Sequence, residues 1–171
     1  MAATRPVRAV WLFGMASAVL LTGLGVYLMP LQPSIVALQF AFSTEAFLAV
    51  LQAWKPAGVE LFRSHLAVDG VLMLCYGAFG YLLAIRTAVF GRMSSEARHK
   101  LSLMMPVAAC ADAMENILHW LITGNTAEAW LWLVPLASVC ASVKFAGIFG
   151  FGAAVWLARR PTPAPTPESC E

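Results

Sequence analysis

Charge is what this chain has least of. Lys and Arg number 11 and Asp and Glu 9 in 171 residues, so 12% of the chain is charged and 60% is hydrophobic. An ordinary soluble domain carries about 25% charged residues. Together with a mean hydropathy of +0.75, this excludes that class. A formal net charge of +2 is too small for a nucleic-acid partner, and the cations cluster at the ends of apolar runs instead of along a stripe. Cysteine is sparse as well. The four, Cys75, Cys110, Cys140 and Cys170, form no CxxC pair and no disulfide framework. The first three lie in apolar stretches and are expected to be small buried apolar residues. There is no phosphate-binding glycine loop and no nucleophile elbow.

What remains is long apolar runs. A chain of this length has room for about four membrane crossings, and the expected fold is all-α: a four-helix transmembrane bundle in a single integral membrane domain over 1–160. Its spans are expected at about 10–28, 66–85, 101–122 and 130–157. Arg5 and Arg8 before the run Ala9 to Met29 resemble the start of a signal peptide. The run is too long for an h-region and no small-residue cleavage site ends it, so it is read as a retained first helix. Trp11 and Tyr27 mark its interfaces, and Met29-Pro30 closes it. Ser43 is a good N-cap, and Glu45 in the first turn suits the helix dipole. Phe47, Leu48, Leu51 and Trp54 then recur at helical spacing, which predicts an amphipathic helix over 43–54 between the first two spans. A short extended piece over 35–42 is expected before it. The proline-rich tail, 161–171, cannot bury a core and is expected to be disordered.

Orientation follows from the short loops. Arg5, Arg8, Arg86, Arg92, Arg98, Lys100, Arg159 and Arg160 flank one side; only Lys55 and Arg63 lie in the segment 31–66. The positive-inside rule then puts both termini in the cytoplasm and the amphipathic helix outside.

The informative feature is polar. Asp112, Glu115, Asn116 and His119 interrupt the apolar stretch Leu101 to Ile122 at spacing i, i+3, i+4, i+7, so they share one helix face. An ionisable group at mid-membrane costs roughly 2.5–3.5 kcal/mol by insertion scales, and it persists only facing protein, water or another such group. Antiparallel topology brings Asp69 and Tyr76 of the second span to the same depth, and Lys144 of the fourth within reach of Asp112. Three carboxylates then face one certain cation, so at least one of them, Glu115 in this reading, is expected to hold a proton. Such a proton serves proton coupling or acid–base catalysis. It equally fits a structural network, in which Lys144–Asp112 fixes helix register, Asn116 makes an interhelical hydrogen bond and His119-Trp120 sits at the interface. Glu45 is either a solvated first-turn carboxylate or a lid over the site. Asp112, Glu115 and His119 could ligate a metal, but the chain has only three histidines, and His65 and His99 are expected on opposite sides of the membrane. No metal is assigned and no cofactor can be named. Gly77, Gly80, Gly147 and Gly150 are read as packing glycines, with an oligomer face as a further use.

With those residues placed, the chain resembles a group of small bacterial four-helix membrane proteins. The resemblance rests on Leu38-Gln-Phe-Ala-Phe-Ser-Thr-Glu45 continuing to Trp54, on Asp69 with Tyr76, on Asp112-Ala-Met-Glu-Asn116, and on Lys144-Phe145. The Asp-x-x-Glu-Asn piece is the most specific. The resemblance covers roughly 35 to 158 and implies the architecture and a bacterial inner membrane, but no substrate. Sterol-isomerase and sigma-2-receptor-like four-helix proteins also place carboxylates in an intramembrane pocket; no motif matches position by position, and nothing is carried over from them.

Three functions remain open at this level. The first is a binding or proton-handling site for a small amphiphile or lipid-derived molecule, with Asp112, Glu115, Asn116 and His119 facing Asp69 and Tyr76. The second is a membrane isomerase or hydrolase using Glu115 as acid–base beside Asp112 and His119. The third is a structural or assembly subunit. The expected partners are the lipid bilayer and an amphiphilic ligand, and transport would imply a homodimer.

Overall fold

The computed structural model describes residues 5–124 and 127–160. The proline-rich tail and Cys170 lie outside the described residues. Five α-helices and one 3-10 helix follow in order: α1 (Arg5–Tyr27), α2 (Ile35–Gln39), α3 (Thr44–Arg86), α4 (Ser95–Ile122), the 3-10 segment Ala127–Leu133, and α5 (Val134–Ala158). Four helical stretches are long and apolar enough to cross a membrane. This is a four-helix bundle with the architecture of a multi-pass membrane protein.

Neighbouring helices run antiparallel. Tyr27 Oη of α1 is 2.8 Å from Ser64 Oγ of α3, while Gly14 sits against Phe79 at the other end. Where α3 meets α4, Gly77 abuts Ala109; where α4 meets α5, Gly147 abuts Ala108. A Cβ on Gly147 would lie 2.9 Å from the Ala108 Cβ, so these small residues set the close approach of helices within the chain. The long helix α1 packs along α3 and leaves much of its surface exposed, including Trp11, Met15 and Val19.

The amphipathic helix forms as its spacing predicts. Ser43 Oγ accepts the Ala46 N–H, and Phe47, Val50 and Trp54 are buried at i, i+3 and i+7 while Glu45, Ala49 and Gln52 stay exposed. Its end is sharper than expected. Lys55 has φ 58° and ψ 173°, and helix resumes at once with Pro56. Proline lacks the N–H that the first turn leaves unused, so it suits a helix start. The second span therefore begins about ten residues before the expected position, and α4 begins at Ser95, capped by Ser94 Oγ on the Ala97 N–H, not near 101. Residues 35–39 are helix, not an extended strand. Ser34 starts that turn, and the fold buries its Leu38 completely. Cys75 and Cys140 are half-buried and Cys110 is exposed on the apolar surface, so the expectation of burial does not hold for Cys110.

The core is split in two. One apolar cluster, built on Leu38, Phe47, Trp54, Phe62 and Ile122, lies toward the Trp54 end. The other, built on Leu72, Met105, Ala108 and Phe151, lies toward the arginine-rich end. A layer of polar side chains separates them.

Candidate functional site: a polar layer beside a cavity

The polar layer is assembled from four elements. Asp112 and Glu115 of α4 and Lys144 of α5 are all buried, with Glu115 at 0% exposure. Lys144 Nζ lies 3.0 Å from Asp112 Oδ1 and 2.7 Å from Glu115 Oε2. The expected Lys144–Asp112 contact is present, but it is not an isolated pair. One ammonium bridges both carboxylates, so Glu115 is not the spare group that the sequence count implied. The Glu115–Lys144 approach is close without hydrogen-bond alignment, and neither Glu115 oxygen has a well-directed donor among the described residues. The attraction there is that of two charges in a medium poor in water, where it is far stronger than at a surface.

Asp112 has a second partner. Tyr76 Oη of α3 donates to Asp112 Oδ2 over 2.9 Å. One turn along α4, Asn116 Nδ2 donates to Asp69 Oδ2 over 2.7 Å. The carboxylates of Asp69 and Asp112 are thus held from both α3 and α4. His119 closes the layer toward the Trp54 end. Its Nδ1 lies 3.7 Å from Glu115 Oε1, and its ring is stacked beside Phe47 and edge-on to Phe62.

Two members escaped the sequence reading. Gln39 of α2 approaches Glu115. His65 of α3 is buried inside the fold, with its Nδ1 against the Phe62 carbonyl. A signal for His65 exists in the sequence: His65, Asp69, Leu72 and Tyr76 continue one helix face once the span is allowed to start at Pro56. For Gln39 there is none, because its position depends on the turn that folds α2 under the bundle. Glu45 is not brought to the layer. It stays exposed in the first turn of its helix.

Beside this layer is a cavity of about 420 Å³. Its polar floor is made by Asp69, Tyr76, Asp112, Lys144, His65 and Gln39. Its walls are apolar: Leu21, Leu24 and Leu28 of α1 on one side and Phe145 and Ile148 of α5 on the other. α1 packs along α3 and not along α5, and Leu21 and Val36, which line the cavity, are themselves exposed, so the cavity is open to the surroundings beside α1. Glu115, Asn116 and His119 do not line this cavity. They stand behind Lys144, Asp69 and the Phe47–Phe62 pair. Among the described residues, no group of three or more His, Cys, Asp or Glu side chains is arranged to hold a metal ion.

No family model, no curated protein and no solved structure matches this chain.

Proposed function

We propose that the protein binds a small amphiphile drawn from the bilayer, with its apolar part between α1 and α5 and its polar end on the Asp69–Tyr76–Asp112–Lys144 floor. The observation that carries this reading is the cavity: apolar walls, a polar floor of reachable groups, and an unsealed side beside α1. Binding sites for small molecules take this form, mostly apolar with a few placed polar groups. Proton handling enters through Lys144, which touches both the cavity and Glu115. An acid–base role for Glu115 would run through that ammonium and not through direct contact with a ligand.

The orientation belongs to the same proposal. The eight flanking cations named above put both termini and the α3–α4 loop in the cytoplasm of a bacterial inner membrane, with the amphipathic helix outside. In a background with the native cysteines replaced by alanine, an impermeant thiol reagent on intact cells should label Ala57→Cys and spare Arg92→Cys. The reverse pattern would invert the topology.

The binding reading is tested by photolabelling. A diazirine-bearing aliphatic alcohol, added to protein in phosphatidylcholine nanodiscs, should attach to 17–28 and 144–148. Gly25 lines the cavity and a Cβ there would meet no heavy atom within 4 Å, so Gly25→Phe has room to project into the space. It should suppress that labelling without unfolding the protein. Labelling spread evenly over all lipid-facing helices, unchanged in Gly25→Phe, would sink the proposal.

One observation favours a second reading. With Lys144 shared by two carboxylates and Asp69 held by Asn116, much of the layer satisfies itself, as a purely structural or assembly role would require. That reading gives the cavity no occupant, so the same labelling experiment separates the two.

A further inference from the structure

The floor of the cavity is unbalanced in charge, and the imbalance has an address. Asp112 faces the Lys144 ammonium and accepts from Tyr76; Glu115 faces the same ammonium. Asp69 differs. Its hydrogen-bond partner is the neutral Asn116 amide, which engages Oδ2 only. Among the described residues no Lys or Arg makes an ion pair with Asp69. On its own helix face toward the Trp54 end stands His65, a buried imidazole with its Nδ1 against the Phe62 carbonyl; Arg63, off that face, is turned away, bonded to the Trp120 carbonyl and the Thr123 hydroxyl with its guanidinium over the Trp120 ring. Asp69 is also half-buried, not sealed, and lines the cavity. A carboxylate withdrawn from water is retained only with a counter-charge or a proton. Here the space next to it is walled by aliphatic side chains and opens beside α1.

Resting on the binding reading above, we infer that the ligand is an amine-bearing amphiphile, whose ammonium group supplies the missing cation at Asp69 while its aliphatic part lies against α1. Lys144 is already committed to Asp112 and Glu115, so an anionic headgroup would have to compete with two carboxylates for one ammonium and would meet Asp69 as a like charge. A neutral hydroxyl would give the second Asp69 oxygen a donor but no counter-charge. An ammonium brings both, and a charge-assisted hydrogen bond is the stronger one.

The test is competition against the diazirine alcohol in phosphatidylcholine nanodiscs. The competitors are decylamine, decanol and decanoate, which share one chain and differ in the headgroup. Decylamine should displace the label at a concentration at least about tenfold below that of decanol, and decanoate should be the weakest. Asp69→Asn keeps the shape and the Asn116 contact, so the alcohol should still label it, but the preference for the amine over decanol should vanish. That variant shares every membrane-partitioning effect with the wild type and so controls for them. Should Asp69→Asn fail to fold, Val36→Lys serves instead: Val36 is 47% exposed and lines the cavity, so a fixed cation there should weaken amine competition while labelling persists. Specific labelling with no preference among headgroups, or a preference that survives Asp69→Asn, overturns the amine inference and leaves the binding proposal standing. Absence of specific labelling removes both.

Discussion

The polar face of α4 has two sides that differ in what covers them. On one side, Asp112 and its neighbour Asp69 border a cavity; Asp69 is held by the neutral Asn116 amide, and Asp112 by the Tyr76 hydroxyl together with the Lys144 ammonium. On the other, Glu115 and His119 are sealed behind Lys144, Gln39 and the rings of Phe47 and Phe62. Four residues at helical spacing share a face, yet that face is split between reachable and unreachable groups. The split comes from α2 and the amphipathic helix, which cover Glu115 and His119, while the cavity half is bordered by α1 and by Ile35 and Val36 of α2. The same residue types then stand in two settings: the sealed half joins the helices and the open half faces the cavity.

The comparison breaks most severely at Lys144, the side chain common to both halves. Lys144→Met strands two buried carboxylates, and removing one partner of a buried pair costs about 3–5 kcal/mol. Thermal unfolding in detergent should show a larger loss for Lys144→Met than for Glu115→Gln or Asp69→Asn. Adding Asp112→Asn to Lys144→Met should recover part of it, since one stranded charge is then gone. Additive losses in that cycle would mean that the two groups do not interact.

A smaller effect should distinguish the halves. Glu115→Gln keeps volume but sets a neutral amide against the ammonium in a sealed site, at a cost of about 1–3 kcal/mol. It should leave photolabelling of the cavity unchanged, because Glu115 does not reach it. Asp69→Asn should do the opposite, with a stability change below about 1 kcal/mol, since the Asn116 donor keeps an acceptor, and a lost headgroup preference. If Glu115→Gln loses the headgroup preference while Asp69→Asn keeps it, the assignment of the two halves is reversed.

How much of this is legible in the sequence follows from the same division. The four spans, the amphipathic helix, the shared face of α4 and the Lys144–Asp112 contact can all be read from hydropathy, spacing and antiparallel depth. Each depends on local periodicity or on helices running side by side. The starts of the second span and of α4 are misplaced because Glu60, Arg63 and Ser64, and Glu96, Arg98 and Lys100, make those turns polar. In the structure Arg63 is satisfied by α4, and Lys100 by Glu96 one turn away at 2.7 Å, so polar side chains do not end the helix. That Lys144 bridges two carboxylates depends on the rotation of α5 about its axis, which spacing leaves undetermined to within a residue. The sealing of Glu115 depends on α2, a single short turn whose placement comes from tertiary contacts such as the Ser138 hydroxyl donating to the Ala41 carbonyl. Neither leaves a periodic mark.

The smallest effect concerns the joint that holds the cover in place. Lys55 connects the amphipathic helix, which supplies Phe47, to the span that supplies Phe62 and His65, and it does so at φ 58°, ψ 173°. For a residue with a Cβ this backbone region costs of order 1–3 kcal/mol, and glycine occupies it freely. Lys55 is exposed, so its side chain gives up little burial on replacement. Lys55→Gly releases the strain but adds freedom to the unfolded chain, which offsets about 0.4–1 kcal/mol of the gain. The net expectation is a stabilisation of about 1 kcal/mol, seen as a raised unfolding temperature in detergent. Lys55→Ala separates the causes: it removes the same side chain but keeps the Cβ, so it should not share the gain. Because the joint serves the sealed half, photolabelling of the cavity should be the same in all three proteins. A lowered unfolding temperature in Lys55→Gly, or equal behaviour of the glycine and alanine variants, would show that the bend is held without backbone strain and that the cover owes its position to Trp54 and Pro56 alone.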